Sequence, residues 1–254
     1  MSKKVVSVYG YGRFGKLWAD ILAPDFHVKV YSRRGLKPEE VESGIEISNE
    51  EGIFNCDAIF FCVAISAFER VLIDTKKFHK PGTLFFDTCS VKVYPAKWMQ
   101  EHLPEGCKII ATHPMFGPDS YHEPEGRNTI VLCNLSVENK EFIFWQKYFA
   151  RKKMHLEVMT PDEHDKKVAY SQGITHYIGR VLGDLNLEPT MIDTLGYEKL
   201  MEIIEQTCND SWQLFLDLQN YNPYTKNMRE ELYKSIEKIY ANFDIKTSGD
   251  ITNK

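Results

Sequence analysis

The chain has 254 residues, enough for one main domain and a smaller second one, and its 43% apolar and 26% charged residues are globular usage that excludes a disordered protein. Lys and Arg number 31 against 36 Asp and Glu, a net charge of -5 without long blocks of one sign, which excludes the electrostatic footprint of a nucleic-acid or acidic-lipid binder. The longest apolar run, Ala58 to Ile65, falls far short of the roughly 20 residues that span a bilayer, and Met1-Ser2-Lys3-Lys4 passes straight into a strand-like stretch with no signal-peptide core, so a cytoplasmic protein is expected.

The first predicted strand, Val5 to Tyr9, runs into Gly10-Tyr11-Gly12-Arg13-Phe14-Gly15 and then a helix-compatible segment. Glycines at that spacing permit a tight turn, close approach of backbone to a pyrophosphate and close helix-strand packing, so a dinucleotide is expected on the helix N-terminus. A second strand, Val28 to Tyr31, ends in Ser32-Arg33-Arg34, where an NAD site would carry Asp or Glu. A hydroxyl followed by guanidinium groups suits a 2'-phosphate, which favours NADP. The third strand, Ala58 to Val63, brings Cys62 and Val63 to the cofactor. Strands at Thr83 to Phe86, Ile109 to Thr112 and Thr129 to Leu132 follow, several apolar on both faces as in a parallel sheet covered by helices.

From about Pro161 the strand signals stop. Thr160-Pro161-Asp162-Glu163 carries helix-start signals, and Ile174, Tyr177, Ile178, Val181, Leu182 and Leu185 follow helical spacing. Further helices are predicted over 196–219 and 224–242, the latter with a stripe of Met228, Leu232, Ile236, Ile239 and Tyr240. The expected architecture is an α/β Rossmann-type doubly wound, mostly parallel sheet over 1–160, followed by an all-α unit over 161–254. Two or three helices make a thin core, so their exposed apolar faces are expected to meet a second copy in a homodimer. The last dozen residues are expected to fray. Six scattered cysteines (Cys56, Cys62, Cys89, Cys107, Cys133, Cys208) lack C-x-x-C spacing and read as reduced thiols, and no metal-ligand spacing occurs.

Two segments carry chemistry. The strand Ile109 to Thr112 ends at His113-Pro114-Met115-Phe116-Gly117-Pro118, on the carboxyl edge of the sheet where open α/β folds hold their ligands. Asp87-Thr88-Cys89-Ser90-Val91-Lys92 brings Ser90 and Lys92 to the same edge. A histidine beside a nicotinamide site is a candidate acid-base group. Ser90 reads alternatively as a helix cap, and Lys92 as a solvated lysine.

With these segments, and with Tyr94-Pro95, His164-Asp165, Ser171 to His176, Gly179 to Leu182 and Gly196 to Glu198, the chain resembles the arogenate and prephenate dehydrogenases of tyrosine biosynthesis, most closely the NADP-using arogenate dehydrogenases of plants and related bacteria. The resemblance implies oxidative decarboxylation of a cyclohexadienyl acid, with hydride passing to the nicotinamide and His113 accepting the hydroxyl proton. It implies that Ser90 orients His113 or the substrate, and that Gln172, Thr175 and His176 of the Gln-x-x-Thr-His motif face the cleft. It also implies an arginine late in the helical unit for a substrate carboxylate, for which Arg229 is the candidate. Arogenate carries an ammonium where prephenate carries a ketone, so an acidic residue is expected to favour arogenate, and Glu123 is placed to do so. Prephenate dehydrogenase is the alternative, and a non-catalytic nicotinamide-binding redox sensor a more distant one. No regulatory domain is expected after the helices, so tyrosine inhibition would act at the active site.

Overall fold

The computed structural model describes residues 3–121 and 128–243. Eight strands form one sheet in the order β3-β2-β1-β4-β5-β6-β7-β8. Its first six strands are β1 (Val5–Tyr9), β2 (His27–Tyr31), β3 (Ile45–Ile47), β4 (Ala58–Phe61), β5 (Leu84–Asp87) and β6 (Lys108–Pro114), all parallel. That is the Rossmann order, with its crevice at the carboxyl ends of β1 and β4. β7 (Thr129–Asn134) pairs antiparallel with β6, and β8 (His155–Val158) runs parallel to β7.

β4 and β5 are buried at every position because helices cover both faces. Alternate side chains feed two cores. Phe60 and Phe86, with rings 4.2 Å apart, point toward Trp18, Trp145 and Phe149, while Phe61 and Phe85 point toward Phe68. The helices of this half are α1 (Arg13–Leu22), α2 (Ile65–Thr75), α3 (Val93–His102) and α4 (Asn139–Arg151). The two strands that the sequence reading omits, β3 and β8, are the sheet's edges. Both are short and mostly exposed, so neither carries the apolar run that marks the central strands.

After β8 every described element is helical: α5 (Pro161–Val168), a π-helical turn over Ala169–Gly173, then α6 (Ile174–Asp184), α7 (Leu195–Asn209), α8 (Trp212–Asn220) and α9 (Thr225–Tyr240). Thr160 begins α5 with a capping box, its hydroxyl accepting from the Glu163 N–H while Glu163 reaches back to the Thr160 N–H. The single helix expected over 196–219 is two. The chain leaves helical geometry at Asp210, and the Ser211 hydroxyl caps α8 by accepting from the Leu214 N–H. The apolar stripe of α9 is buried only at its start. Met228 is enclosed, whereas Ile236, Ile239 and Tyr240 are exposed. No described helix is long and apolar enough to cross a membrane.

Candidate active site

The turn after β1 is built by its glycines. Gly10 has φ +102, and a Cβ there would lie 2.3 Å from the Cys62 carbonyl oxygen, while one on Gly15 would lie 1.9 Å from that of Gly10. Gly12, at the N-terminus of α1, is different. A Cβ there would meet nothing within 4 Å, and no side chain caps the helix. The structure therefore keeps open space and bare backbone N–H groups where a pyrophosphate would lie, which fits a dinucleotide. Cys62 and Val63 wall this turn, and burial pushes the Cys62 thiol up to about 12, so it is uncharged. Phe14 stacks on Trp18, Tyr11 is buried, and Arg13 reaches across to Asp119 at 2.5 Å.

Ser32, Arg33 and Arg34 follow β2. With Tyr31, Gly35, Leu36, Ile47, Ser48 and Asn49, Ser32 and Arg33 line a cavity of about 440 Å³ that no acidic side chain lines. Arg34 pairs with Glu40 at 2.6 Å, leaving Arg33 as the lining guanidinium.

At the carboxyl edge of β5 and β6 the polar groups interlock. Lys92, for which the sequence offers a solvated lysine as the alternative reading, is fully buried and forms an ion pair with the equally buried Asp87. Asp87 also accepts from the Thr112 and Cys89 N–H groups, both at 3.0 Å. His113 closes the same edge. Its Nδ1 lies 2.9 Å from His164 Nε2, and His164 Nδ1 lies 2.7 Å from Asp165 Oδ1. The Asp165 carboxylate in turn accepts from the Lys92 N–H at 2.6 Å and the Val93 N–H at 2.9 Å, at the start of α3. Burial, then the neighbouring His164 and Lys92 charges, hold the His113 pKa well below its usual value.

Several buried polar atoms, among them Ser90 Oγ, Gln172 Oε1, His176 Nδ1 and Arg180 Nε, have no hydrogen-bond partner among the described residues. Ser90 is thus no helix cap, since Lys92 occupies that position without a side-chain bond. Gln172, His176 and Arg180 recur every four residues through the π turn and α6 and so share a face. The Thr175 hydroxyl donates to the Ser171 carbonyl at 2.9 Å. Arg180 stacks over Trp212 and Phe215, 5.4 and 5.8 Å from their ring centroids, and donates to the Asp210 carbonyl. Arg229, by contrast, gives Nη1 to the carbonyl and Oε1 of Gln219, at 3.1 and 2.7 Å. Glu123 lies outside the described residues. The rim is tied by Asp119, which takes Arg13 on one oxygen and Asn209 Nδ2 at 2.9 Å on the other.

His164, Asp165, Asp87 and Arg180 carry no role in the sequence reading. The adjacent His164-Asp165 pair was a visible signal, whereas Arg180 looks like any helix-face cation until Trp212 and Phe215 fold over it.

Residues 28–143 match the family model described as prephenate dehydrogenase, nucleotide-binding domain, and residues 181–254 match the model described as TYRAAT1-like, C-terminal domain. The chain is 32% identical over 251 residues to "Arogenate dehydrogenase 1, chloroplastic" of Arabidopsis thaliana, covering 94% of this chain and 39% of that protein. It is 30% identical over 253 residues to a probable arogenate/prephenate dehydrogenase of Methanocaldococcus jannaschii, covering 92% of this chain and 56% of the relative. The chain thus spans only part of the length of these two relatives. Two solved structures share the fold: prephenate dehydrogenase from A. aeolicus in complex with hydroxyphenyl propionate and NAD+, with TM-score 0.74, 15% identity and coverage of 95% and 91%, and Synechocystis arogenate dehydrogenase, with TM-score 0.66, 16% identity and coverage of 93% and 92%. Sequence models on both halves and relatives aligned along nearly the whole chain agree in their likeness, and the chain is similar along nearly its whole length to the arogenate/prephenate dehydrogenase family.

Proposed function

We propose that the protein is a dehydrogenase that converts arogenate to tyrosine with NADP, residues 1–160 holding the cofactor and 161–254 supplying the substrate's far wall and a homodimer contact. The observation that carries this reading is His113. Its ring is buried at the edge of the sheet, is held uncharged by its surroundings, and has no bond from Nε2 among the described residues.

A neutral imidazole there accepts the proton of the substrate's ring hydroxyl at Nε2. The bound nicotinamide supplies the hydride acceptor for the hydrogen on the same carbon. The resulting ring ketone loses its carboxylate as carbon dioxide. The electron pair of that C–C bond enters the ring, and the former carbonyl oxygen takes a proton back from His113 as the phenol forms. No net proton is released.

Ser90 Oγ, His176 Nδ1 and Gln172 Oε1 are buried without partners among the described residues, an arrangement that costs stability unless a ligand satisfies them. Ser90 is assigned to His113 or the hydroxyl, and the α6 face to the rest of the substrate. Arg180 joins Arg229 as a group for a substrate carboxylate: each gives one terminal nitrogen to a carbonyl within the chain, and Arg180 in addition keeps a buried Nε without a partner among the described residues. Arg33 is assigned to the 2'-phosphate. The 32% identity to the Arabidopsis thaliana arogenate dehydrogenase supports arogenate over prephenate.

The test is the absorbance of reduced nicotinamide with each pairing of arogenate or prephenate with NADP or NAD. The expected result is the highest kcat/KM with arogenate and NADP. Preference for prephenate overturns the substrate assignment, and equal use of NAD overturns that of Arg33.

A further inference from the structure

Resting on the reading of His113 as the base, we infer that Asp165 and His164 form a hydrogen-bond relay that fixes which nitrogen of His113 carries the proton, presenting Nε2 to the substrate as a lone pair. Both Asp165 oxygens accept N–H groups at the first turn of α3, the positive end of the helix, where a carboxylate is favoured in its ionised form. An ionised carboxylate only accepts, so the 2.7 Å contact makes His164 Nδ1 the donor. A neutral imidazole has one N–H, so His164 Nε2 must accept. The group facing it at 2.9 Å is His113 Nδ1, which therefore carries the His113 proton. His164 never touches the reacting atoms and acts as a positioning residue.

The same chain of bonds has a failure state. A proton added to the pair at His164 makes Nε2 a donor, turns His113 Nδ1 into the acceptor, and leaves the His113 proton on Nε2, where it blocks the base. Burial opposes that proton, as does the Lys92 charge, against the attraction of Asp165 and Asp87, and the net effect lowers the His164 pKa. The two rings therefore titrate as a unit rather than singly.

The relay is tested on the ligand-free protein by nitrogen-15 NMR of labelled histidine rings at pH 7.5, with the His113 signals identified by their loss in His113→Gln. The expected spectrum has His113 protonated at Nδ1, and the Nε2–H form in the wild type overturns the relay. In His164→Phe, which keeps a ring without a nitrogen, the His113 tautomers should mix and kcat should fall about tenfold or more, with cofactor KM unchanged. His164→Gln, whose amide oxygen can accept from Nδ1, should recover most of that loss. His164→Phe with wild-type tautomer and kcat would refute the relay. If that variant does not fold, the wild-type spectrum alone decides. A wild type that shows the Nδ1–H form yet turns over no cyclohexadienyl acid sinks the catalytic reading while supporting the relay.

Discussion

Lys92 and Asp87 form an ion pair with no solvent exposure, so each charge depends on the other for compensation. Lys92→Met should cost about 3–5 kcal/mol in urea unfolding, because Asp87 is left buried and uncompensated. A loss under 1 kcal/mol would mean that water or another cation reaches Asp87. At His113 the expectation concerns pH. Its pKa lies well below the ordinary 6.5, so the neutral base persists as acid is added. The acid limb of kcat/KM should therefore fall below pH 6.5, with activity at pH 6 close to that at pH 7.5. A half-maximal rate at pH 6.5 would show that the ring titrates as if in water. None of this electrostatic setting is legible in the sequence. His113 and Ser90 are found by their motifs, but the burial of Lys92 and the contact of His113 with His164, 51 residues later, depend on two separate segments meeting.

Among the elements, the glycine turn separates folding from binding. Gly15→Ala would drive a methyl into the Gly10 carbonyl and should destabilise the β1–α1 unit severely. Gly12→Ala meets no protein atom and should leave the melting temperature unchanged while raising cofactor KM, since its methyl would enter the space assigned to the pyrophosphate. Equal thermal losses in the two variants would remove that distinction. The central strands themselves and the start of α5 at the Thr160 capping box are readable, because each rests on residues adjacent in sequence. The edge strands, whose pairing rather than composition makes them strands, are not. The break between α7 and α8 differs: Asn209-Asp210-Ser211 is a local cap signal, but the apolar period continues across it and predicts one helix.

The whole molecule buries His79, His113, His164 and His176, and burial lowers the pKa of each, that of His79 to about 4. The unfolded chain takes up protons at these sites near pH 6.5 while the folded chain resists them. Stability is therefore full above that pH and declines as pH falls through it, by up to about 1.4 kcal/mol per pH unit for each histidine. Thermal unfolding should show a melting temperature that drops steadily between pH 6.5 and 4.5; a flat profile would mean that the histidines protonate without unfolding. The exposed Ile236, Ile239 and Tyr240 of α9 lie on the face assigned to a second copy. Light scattering should give a dimer, with Ile236→Asp shifting it toward monomer; a monomeric wild type at micromolar concentration would count against that contact.

The imidazole of His113 is the group on which turnover depends, and the most direct measurement is the rate of nicotinamide reduction by wild type and His113→Asn with saturating arogenate and NADP. The expected result is a loss of at least about 10²-fold in kcat with little change in KM. A variant that turns over at the wild-type rate would contradict it.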